Sequence, residues 1–298
     1  MDIREALKTG IGRLREADVS GYTLAAELLL LHAIGKDRAW LYAHPEEQLS
    51  PSQEKDFLEM VSRRAAGEPV QHLTGHQEFW GLDFEVTRDV LIPRPETEHL
   101  IEVTLDRLAL REVRAGRPQV TDGSGFLIAD VGTGTGCIAI ALAKELPKAH
   151  LYASDISQAA LTVAKRNATK HGVSDRIDFA RCNLLENARA CDRRPAVFDA
   201  IVSNPPYIGL REAASLGREV RDHEPPQALY GGEEGYELYG EMIAQSAQRL
   251  KRDGLLVLEL GHNSLPAVQP LLEGPEWTRV AVTNDLAGIP RVIAAGKT

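Results

Sequence analysis

The chain has 298 residues, of which 43% are apolar and 26% charged, enough for one large globular domain and a smaller one. Its net charge of −9 argues against a protein that grips a long duplex by its phosphates. No apolar run approaches the roughly 20 residues needed to cross a bilayer, and Met1-Asp2-Ile3-Arg4-Glu5 lacks the basic-then-apolar order of a signal peptide. Cys137, Cys182 and Cys191 form no C-x-x-C pair, so neither a disulfide framework nor a zinc site is suggested, and a reduced cytosolic protein is expected.

The first third begins helical. Leu24, Leu28, Leu29 and Leu31 or His32 recur at helical spacing. Ser50-Pro51-Ser52-Gln53 reads as an N-cap, a first-turn proline and a capping-box glutamine, with Phe57, Leu58, Val61 and Ala65 on one face of the helix after it. Gly67-Glu68-Pro69 stops it. A small helical domain over 1–72 is expected.

Alternation comes next, with Leu82, Phe84 and Val86 separated by Asp83 and Glu85, and this predicts a β-hairpin linker over 73–92. Pro95 opens a helix whose apolar face is Leu100, Ile101, Thr104, Leu105 and Leu108; Ala115 to Gly125 reads as a loop. From Phe126 strands and helices alternate. Strands are predicted at Phe126–Val131, His150–Ser154, Arg176–Ala180, Phe198–Ser203 and Leu255–Leu260, with helices at Ile138–Glu145 and Gln158–His171. That order specifies a parallel sheet covered on both faces, so 93–298 forms one α/β domain. Trp277–Thr283 and Arg291–Ala295 are joined by too short a loop for a crossover helix and must pair antiparallel.

Asp130-Val131-Gly132-Thr133-Gly134-Thr135-Gly136 lies between a predicted strand and helix, where glycines allow a tight turn and close approach of a ligand to the main chain. The pattern is G-x-G-x-G, and Cys137 stands where the dinucleotide fingerprint has its third glycine. Asp155 ends the next strand, about 20 residues on, where a carboxylate can accept both ribose hydroxyls of an adenosine. A tight turn and a helix cap are the plainer readings of the two features taken singly. Together they resemble the Rossmann-like S-adenosyl-L-methionine-dependent methyltransferases, as does the antiparallel terminal pair.

Asn204-Pro205-Pro206-Tyr207 ends the fourth strand of this sheet. A carboxamide or aromatic amine nitrogen is a poor nucleophile because its lone pair is delocalised. Two acceptors on its two N–H groups, the Asn204 side-chain oxygen and the Pro205 carbonyl, would orient it toward a methyl donor. Pro206 would stiffen the turn without offering an N–H, and Tyr207 would stack on the flat substrate group. No residue stands out as general base, which leaves water to take the proton. The plainer reading is a rigid strand-ending turn with a buried tyrosine.

Four flanking segments narrow the choice: Gly67-Glu68-Pro69-Val70-Gln71-His72-Leu73-Thr74-Gly75, Glu78-Phe79-Trp80-Gly81-Leu82, Leu91-Ile92-Pro93-Arg94-Pro95-Glu96-Thr97-Glu98 and His223-Glu224-Pro225-Pro226-Gln227-Ala228-Leu229-Tyr230-Gly231-Gly232. With Asn-Pro-Pro-Tyr they resemble the HemK/PrmC family of protein-(glutamine-N5) methyltransferases, from about Gly67 to the end; the first 66 residues match only in being helical. The resemblance implies a class I fold with a seven-stranded sheet, and S-adenosyl-L-methionine as cofactor with S-adenosyl-L-homocysteine as product. The substrate it implies is the glutamine of the Gly-Gly-Gln loop of peptide chain release factors. Asn204, Pro205, Pro206 and Tyr207 would hold that glutamine. Gly132, Thr133, Gly134, Thr135 and Gly136 would lie along the methionine part of the cofactor, Asp155 at its ribose and Asn183 and Leu184 by its adenine, with Asn204 at the methyl. Asn183 stands where the family commonly has an acid.

The helical domain would recognise the partner, with no direct nucleic-acid or membrane contact, in a cytoplasmic monomer. Methylation of a ribosomal-protein glutamine, or of adenine N6, is the alternative. Arg94, Glu96 and Glu98 read either as a helix start or as a substrate gate. His72, His76, His223 and His262 show no metal-ligand spacing.

Overall fold

A computed structural model describes residues 1–114, 122–186, 188 and 197–298. Cys191 and most of the loop expected over Ala115–Gly125 lie outside the described residues; Cys137 and Cys182 are free thiols. The chain divides into two compact units, Met1–His76 with Leu216–His223, and Gln77–Ser215 with Glu224–Thr298.

The first unit contains α1 (Ile3–Glu16), α2 (Tyr22–Ile34), α3 (Arg38–Ala43), α4 (Pro51–Ala65) and α5 (Val70–Thr74). Two capping boxes start its longer helices: Asp2 with Glu5 on α1, and Ser50 with Gln53 on α4, the second as spelled in the sequence. The core joins Leu14, Leu29, Leu30, Phe57 and Val61. The orientation of α2 differs from the periodicity reading. Leu24 and Leu28 are 51% and 39% exposed, whereas Ala25, Ala26, Leu29, Leu30 and Ile34 are buried. The helix is apolar almost all round, so its sequence carries no polar face to fix which side turns inward. Its one acid, Glu27, is buried and receives Arg38 and the Tyr42 hydroxyl. The stop at Gly67-Glu68-Pro69 is tied by the Glu68 carboxylate, which takes two 2.8 Å bonds from Arg63. Arg64, itself buried, reaches Glu219 at 2.6 Å and so fastens the Leu216–His223 stretch to this unit.

The second unit, from Gln77, takes in β1 (His76–Phe79) after its first residue and β2 (Leu82–Glu85). Trp80 and Gly81 turn between them with φ of 54° and 68°, the two positive angles a tight hairpin requires. This hairpin is part of the second unit rather than a linker. Phe79 and Phe84 are fully buried in its larger core, and the Glu85 N–H donates to Asn167 Oδ1 at 2.8 Å. After a 3₁₀ turn at Pro95–Thr97 come α6 (Glu98–Arg114), β3 (Leu127–Val131), α7 (Cys137–Glu145), β4 (His150–Asp155), α8 (Gln158–Lys170), β5 (Ile177–Arg181), β6 (Phe198–Ser203), α9 (Glu237–Arg249), β7 (Leu250–Glu259), β8 (Trp277–Asn284) and β9 (Pro290–Lys297).

Seven of these strands form one sheet in the order β8-β9-β7-β6-β3-β4-β5. The five from β7 to β5 are parallel, and β9 runs antiparallel to both β7 and β8, as the short terminal loop demanded. Alternate residues serve opposite faces. Ile128, Leu151, Ala153, Ala200, Val202, Leu255 and Val257 pack with α6 and α7. Ala129, Tyr152, Ile201, Leu256 and Leu258 pack with Tyr239, Met242 and Ile243 of α9. Parallel strands end together, so the carboxyl ends of β3, β4, β5, β6 and β7 share one edge, where open α/β sheets bind ligands. No helix among the described residues is long and apolar enough to cross a membrane.

Candidate active site

The loop after β3 shows why its glycines stand where they do. Gly132, Gly134 and Gly136 have φ of 73°, 54° and 83°. A Cβ on Gly132 or Gly134 would meet no atom within 4 Å and would project into open space, whereas one on Gly136 would press on Ala164 and Ile140 at 3.1–3.3 Å. Two glycines thus keep a cavity open, and the third lets α7 approach α8. The N–H groups of Gly132 and Thr133 both donate to the Ser154 carbonyl, at 2.8 and 2.9 Å, which ties the loop to the end of β4. From below, Asp130 Oδ2 accepts from the Thr133 hydroxyl at 2.6 Å and from the Ala139 N–H at 3.1 Å. Asp130 is fully buried, and that desolvation, opposed by these two bonds, pushes its carboxyl up to about 7. Its Oδ1 has no hydrogen-bond partner among the described residues.

A cavity of about 160 Å³ lies along the shared edge. Of the predicted loop residues it is lined by Gly132 and Gly134. Thr133, Thr135 and Gly136 do not line it; both threonines are buried and serve the loop itself. Asp155 is in the lining, and its carboxylate accepts from the Gly134 N–H at 3.0 Å and the Ser157 N–H at 2.8 Å. Burial raises its pKa while those two bonds lower it. An ionised carboxylate has about four acceptor positions, so capacity for further donors remains. Asn183 and Leu184 line the same cavity, and Leu184, at φ 49°, is held by a 2.9 Å bond from the Ser154 hydroxyl to its carbonyl. Ile156, Pro225, Gln227 and Ala228 are among the wall residues not expected from the sequence.

Asn204, Pro205 and Pro206 form the opposite wall. Their turn comes after β6, whose Ser203 is level with Leu258 of β7, so Asn204 and Glu259 are the next residues on neighbouring strand ends. Glu259 has the same parity as Leu255 and Val257 and points to the α6 face. There its Oε2 accepts from the Thr97 hydroxyl at 2.7 Å, and Thr97 Oγ1 in turn accepts from Asn204 Nδ2 at 3.1 Å. Glu259 is fully buried, and desolvation outweighs the Thr97 bond and the Arg291 charge to push it up to about 7. Thr97 and Glu259 stand outside the site residues expected from the sequence. An acid closing an apolar strand beside β6 was the available signal.

Tyr207 is not in the cavity wall. Its ring turns into the protein, its hydroxyl donates to Glu259 Oε1 at 3.3 Å, and burial raises that hydroxyl well above its ordinary value. That hydroxyl makes an anchoring contact within the protein. The Tyr230–Gly232 strand pairs with Ile208–Gly209 and presses on the turn, where a Cβ on Gly231 would overlap the Pro206 carbonyl. Arg94 and Glu98 have structural partners: Arg94 reaches buried Glu224 at 2.5 Å, and Glu98 accepts the Trp80 N–H at 2.8 Å. Among the described residues no group of three His, Cys, Asp or Glu could hold a metal ion.

A family model described as the PrmC N-terminal domain matches residues 5–75, and one described as the methyltransferase small domain matches 120–219. The release factor glutamine methyltransferase of Koribacter versatilis is 41% identical over 297 residues, covering 100% of this chain and 99% of the relative. That of Moorella thermoacetica is 41% identical over 296 residues, covering 99% and 98%. Among solved structures, the catalytic domain of human METTL16 in complex with an RNA hairpin superposes with a TM-score of 0.53 at 19% identity, covering 80% of this chain and 81% of that one. A methyltransferase from Pyrococcus furiosus gives 0.52 at 15%, covering 80% and 98%. At such identities the two structures establish the fold alone.

Proposed function

Since this chain belongs to the release factor glutamine methyltransferase family, we propose that it methylates the side-chain amide nitrogen of the Gly-Gly-Gln loop glutamine of peptide chain release factors. The observation that carries the reading is the meeting, in one cavity, of a side-chain-free glycine wall, an acceptor carboxylate at Asp155, and Asn204 with its Nδ2 already engaged. These residues fit S-adenosyl-L-methionine. Gly132 and Gly134 leave room for the methionine part, Asp155 has acceptor capacity left for a ribose diol, and Asn183 and Leu184 offer an amide and an apolar edge to adenine. The unpartnered Asp130 Oδ1 beneath the loop suits the field of a cation. Bound there, the cofactor supplies an electrophilic methyl carbon on a cationic sulfur that leaves as a neutral thioether.

The protein supplies position. Asn204 Oδ1 and the Pro205 carbonyl take the two amide hydrogens and hold the nitrogen for in-line approach. Pro206, backed by Gly231, keeps that carbonyl in place. As the new carbon–nitrogen bond forms, the surplus amide proton leaves to water. We assign partner recognition to the helical unit, and Leu24 and Leu28, exposed on α2, are its apolar candidates.

The test offers release factor, ribosomal protein and DNA in parallel with methyl-labelled cofactor. Label is expected in the release factor and absent when its loop glutamine is replaced. Label in ribosomal protein or DNA alone would overturn the assignment.

A further inference from the structure

The proposed methyl transfer is the premise here, and Asn204 serves it in only one of its two amide orientations. With Oδ1 toward the cavity it accepts a hydrogen from the substrate amide. Rotated by half a turn, it would point N–H groups at a group that already carries two. The device that selects the orientation lies behind the cavity wall.

Nδ2 of Asn204 donates to Thr97 Oγ1 at 3.1 Å, and the Thr97 hydroxyl donates to Glu259 Oε2 at 2.7 Å. A hydroxyl has one hydrogen. Once that hydrogen is committed to the carboxylate, the Thr97 oxygen can only accept, and only the nitrogen edge of Asn204 satisfies it. We propose that Thr97 and Glu259 are positioning residues that fix the amide orientation of Asn204, and through it the acceptor that the substrate nitrogen meets.

Glu259 is placed for that role and for no direct one. It is 0% exposed, and neither it nor Thr97 lines the cavity. Its titratable and charged surroundings come from several elements, with the Cys137 thiol of α7 among them. Thr97 and Glu96 lie in the turn before α6, Tyr207 comes after β6, Tyr239 of α9 donates to the Glu259 carbonyl at 2.7 Å, and Arg291 of β9 adds positive charge. Tyr207 and Thr97 both present hydrogens to the carboxylate, so the network is satisfied with Glu259 as a pure acceptor. A buried charge costs free energy that an apolar residue here would not, and a mere tie between α6 and the sheet could be made by many hydrogen-bonding pairs. A one-way relay needs an acceptor that cannot donate.

Glu259→Gln keeps the volume but leaves one oxygen where Thr97 and Tyr207 each present a hydrogen, so its amide can turn Nε2 toward Thr97. The Thr97 hydrogen is then released toward Asn204, whose Oδ1 swings to meet it and whose Nδ2 faces the substrate. Protonation of Glu259 has the same consequence, so turnover carries an acid limb near pH 7, where its carboxyl titrates.

The experiment measures single-turnover methyl transfer and S-adenosyl-L-homocysteine affinity between about pH 6 and 9 for the wild type, Thr97→Ser, Thr97→Val, Glu259→Gln and Asn204→Ala, with circular dichroism as the check on folding. Thr97→Ser keeps the hydroxyl and is expected within about threefold of wild type. Thr97→Val and Glu259→Gln are expected to lose about 100-fold in rate with cofactor affinity unchanged, and Glu259→Gln to lose the acid limb. A folded Thr97→Val protein at the wild-type rate would overturn the relay, whatever the rate of Glu259→Gln, so the Thr97 pair decides. Should Asn204→Ala turn over normally, the reading of the site itself fails. Should it be dead while Thr97→Val is active, only the relay fails.

Discussion

The glycine loop after β3 and the Asn-Pro-Pro-Tyr turn after β6 end neighbouring strands, and each rests on a fully buried carboxyl pushed up to about 7. Below the glycine loop, Asp130 grips the loop itself, through the Thr133 hydroxyl and the Ala139 N–H. Beside the turn, Glu259 acts at one remove, through Thr97 on the side chain of Asn204. The difference arises from the groups each wall offers. The loop presents backbone, so it needs side chains removed and the main chain clamped. The turn presents a side-chain amide whose two ends differ chemically, so it needs an orienting device. Its backbone is stiffened by Pro205 and Pro206 and pinned by Gly231.

Substitutions on the two sides should therefore separate. The largest effect is expected at Asn204→Ala, a loss of turnover of about 1,000-fold with cofactor affinity nearly unchanged, read by single-turnover transfer and calorimetry. Gly231→Ala forces a methyl group onto the Pro206 carbonyl. About tenfold lower turnover and roughly 2 kcal/mol of lost stability are expected, measured by transfer rate and denaturant midpoint.

On the loop side the cofactor should feel the change instead. Burial holds Asp130 partly protonated near pH 7, and a bound cation favours its ionised form. Binding then releases a proton, so S-adenosyl-L-methionine affinity rises between about pH 6 and 8 and levels above. In Asp130→Asn that slope should vanish. Stability without ligand runs the other way. Asp130 and Glu259 each ionise more readily unfolded than folded, so their contribution is intact below about pH 4 and is lost as pH rises through about 7. The thermal midpoint should fall over that window, and fall less in Glu259→Gln. The smallest effect is expected outside both regions: Ser50→Ala removes the α4 capping box for about 1 kcal/mol, with turnover unchanged.

The features legible in the sequence are those that local rules govern. The Ser50–Gln53 box, the strand alternation, the glycine turn after β3 and the antiparallel terminal pair are decided within a few residues, and each is found where it was expected. The phase of α2 is not local. With apolar residues all round, only packing chooses Leu29 and Leu30 over Leu24 and Leu28. Nor is the direction of Tyr207, whose hydroxyl meets Glu259. The relay behind Asn204 is the extreme case, since its two hydrogen bonds join residues 107 and 162 positions apart. Parity and strand order show Glu259 beside Asn204, but only once the sheet order is known. The helical unit is the reverse case. Its sequence shows little beyond helices, yet residues 5–75 match a family model.

A crystal of the protein with S-adenosyl-L-homocysteine and a Gly-Gly-Gln peptide addresses the clamp most directly. The glutamine Nε2 should sit about 2.9 Å from both Asn204 Oδ1 and the Pro205 carbonyl, facing the sulfur. A glutamine nitrogen bonded to neither oxygen, or Asn204 turned so that Nδ2 meets the substrate, would contradict the account.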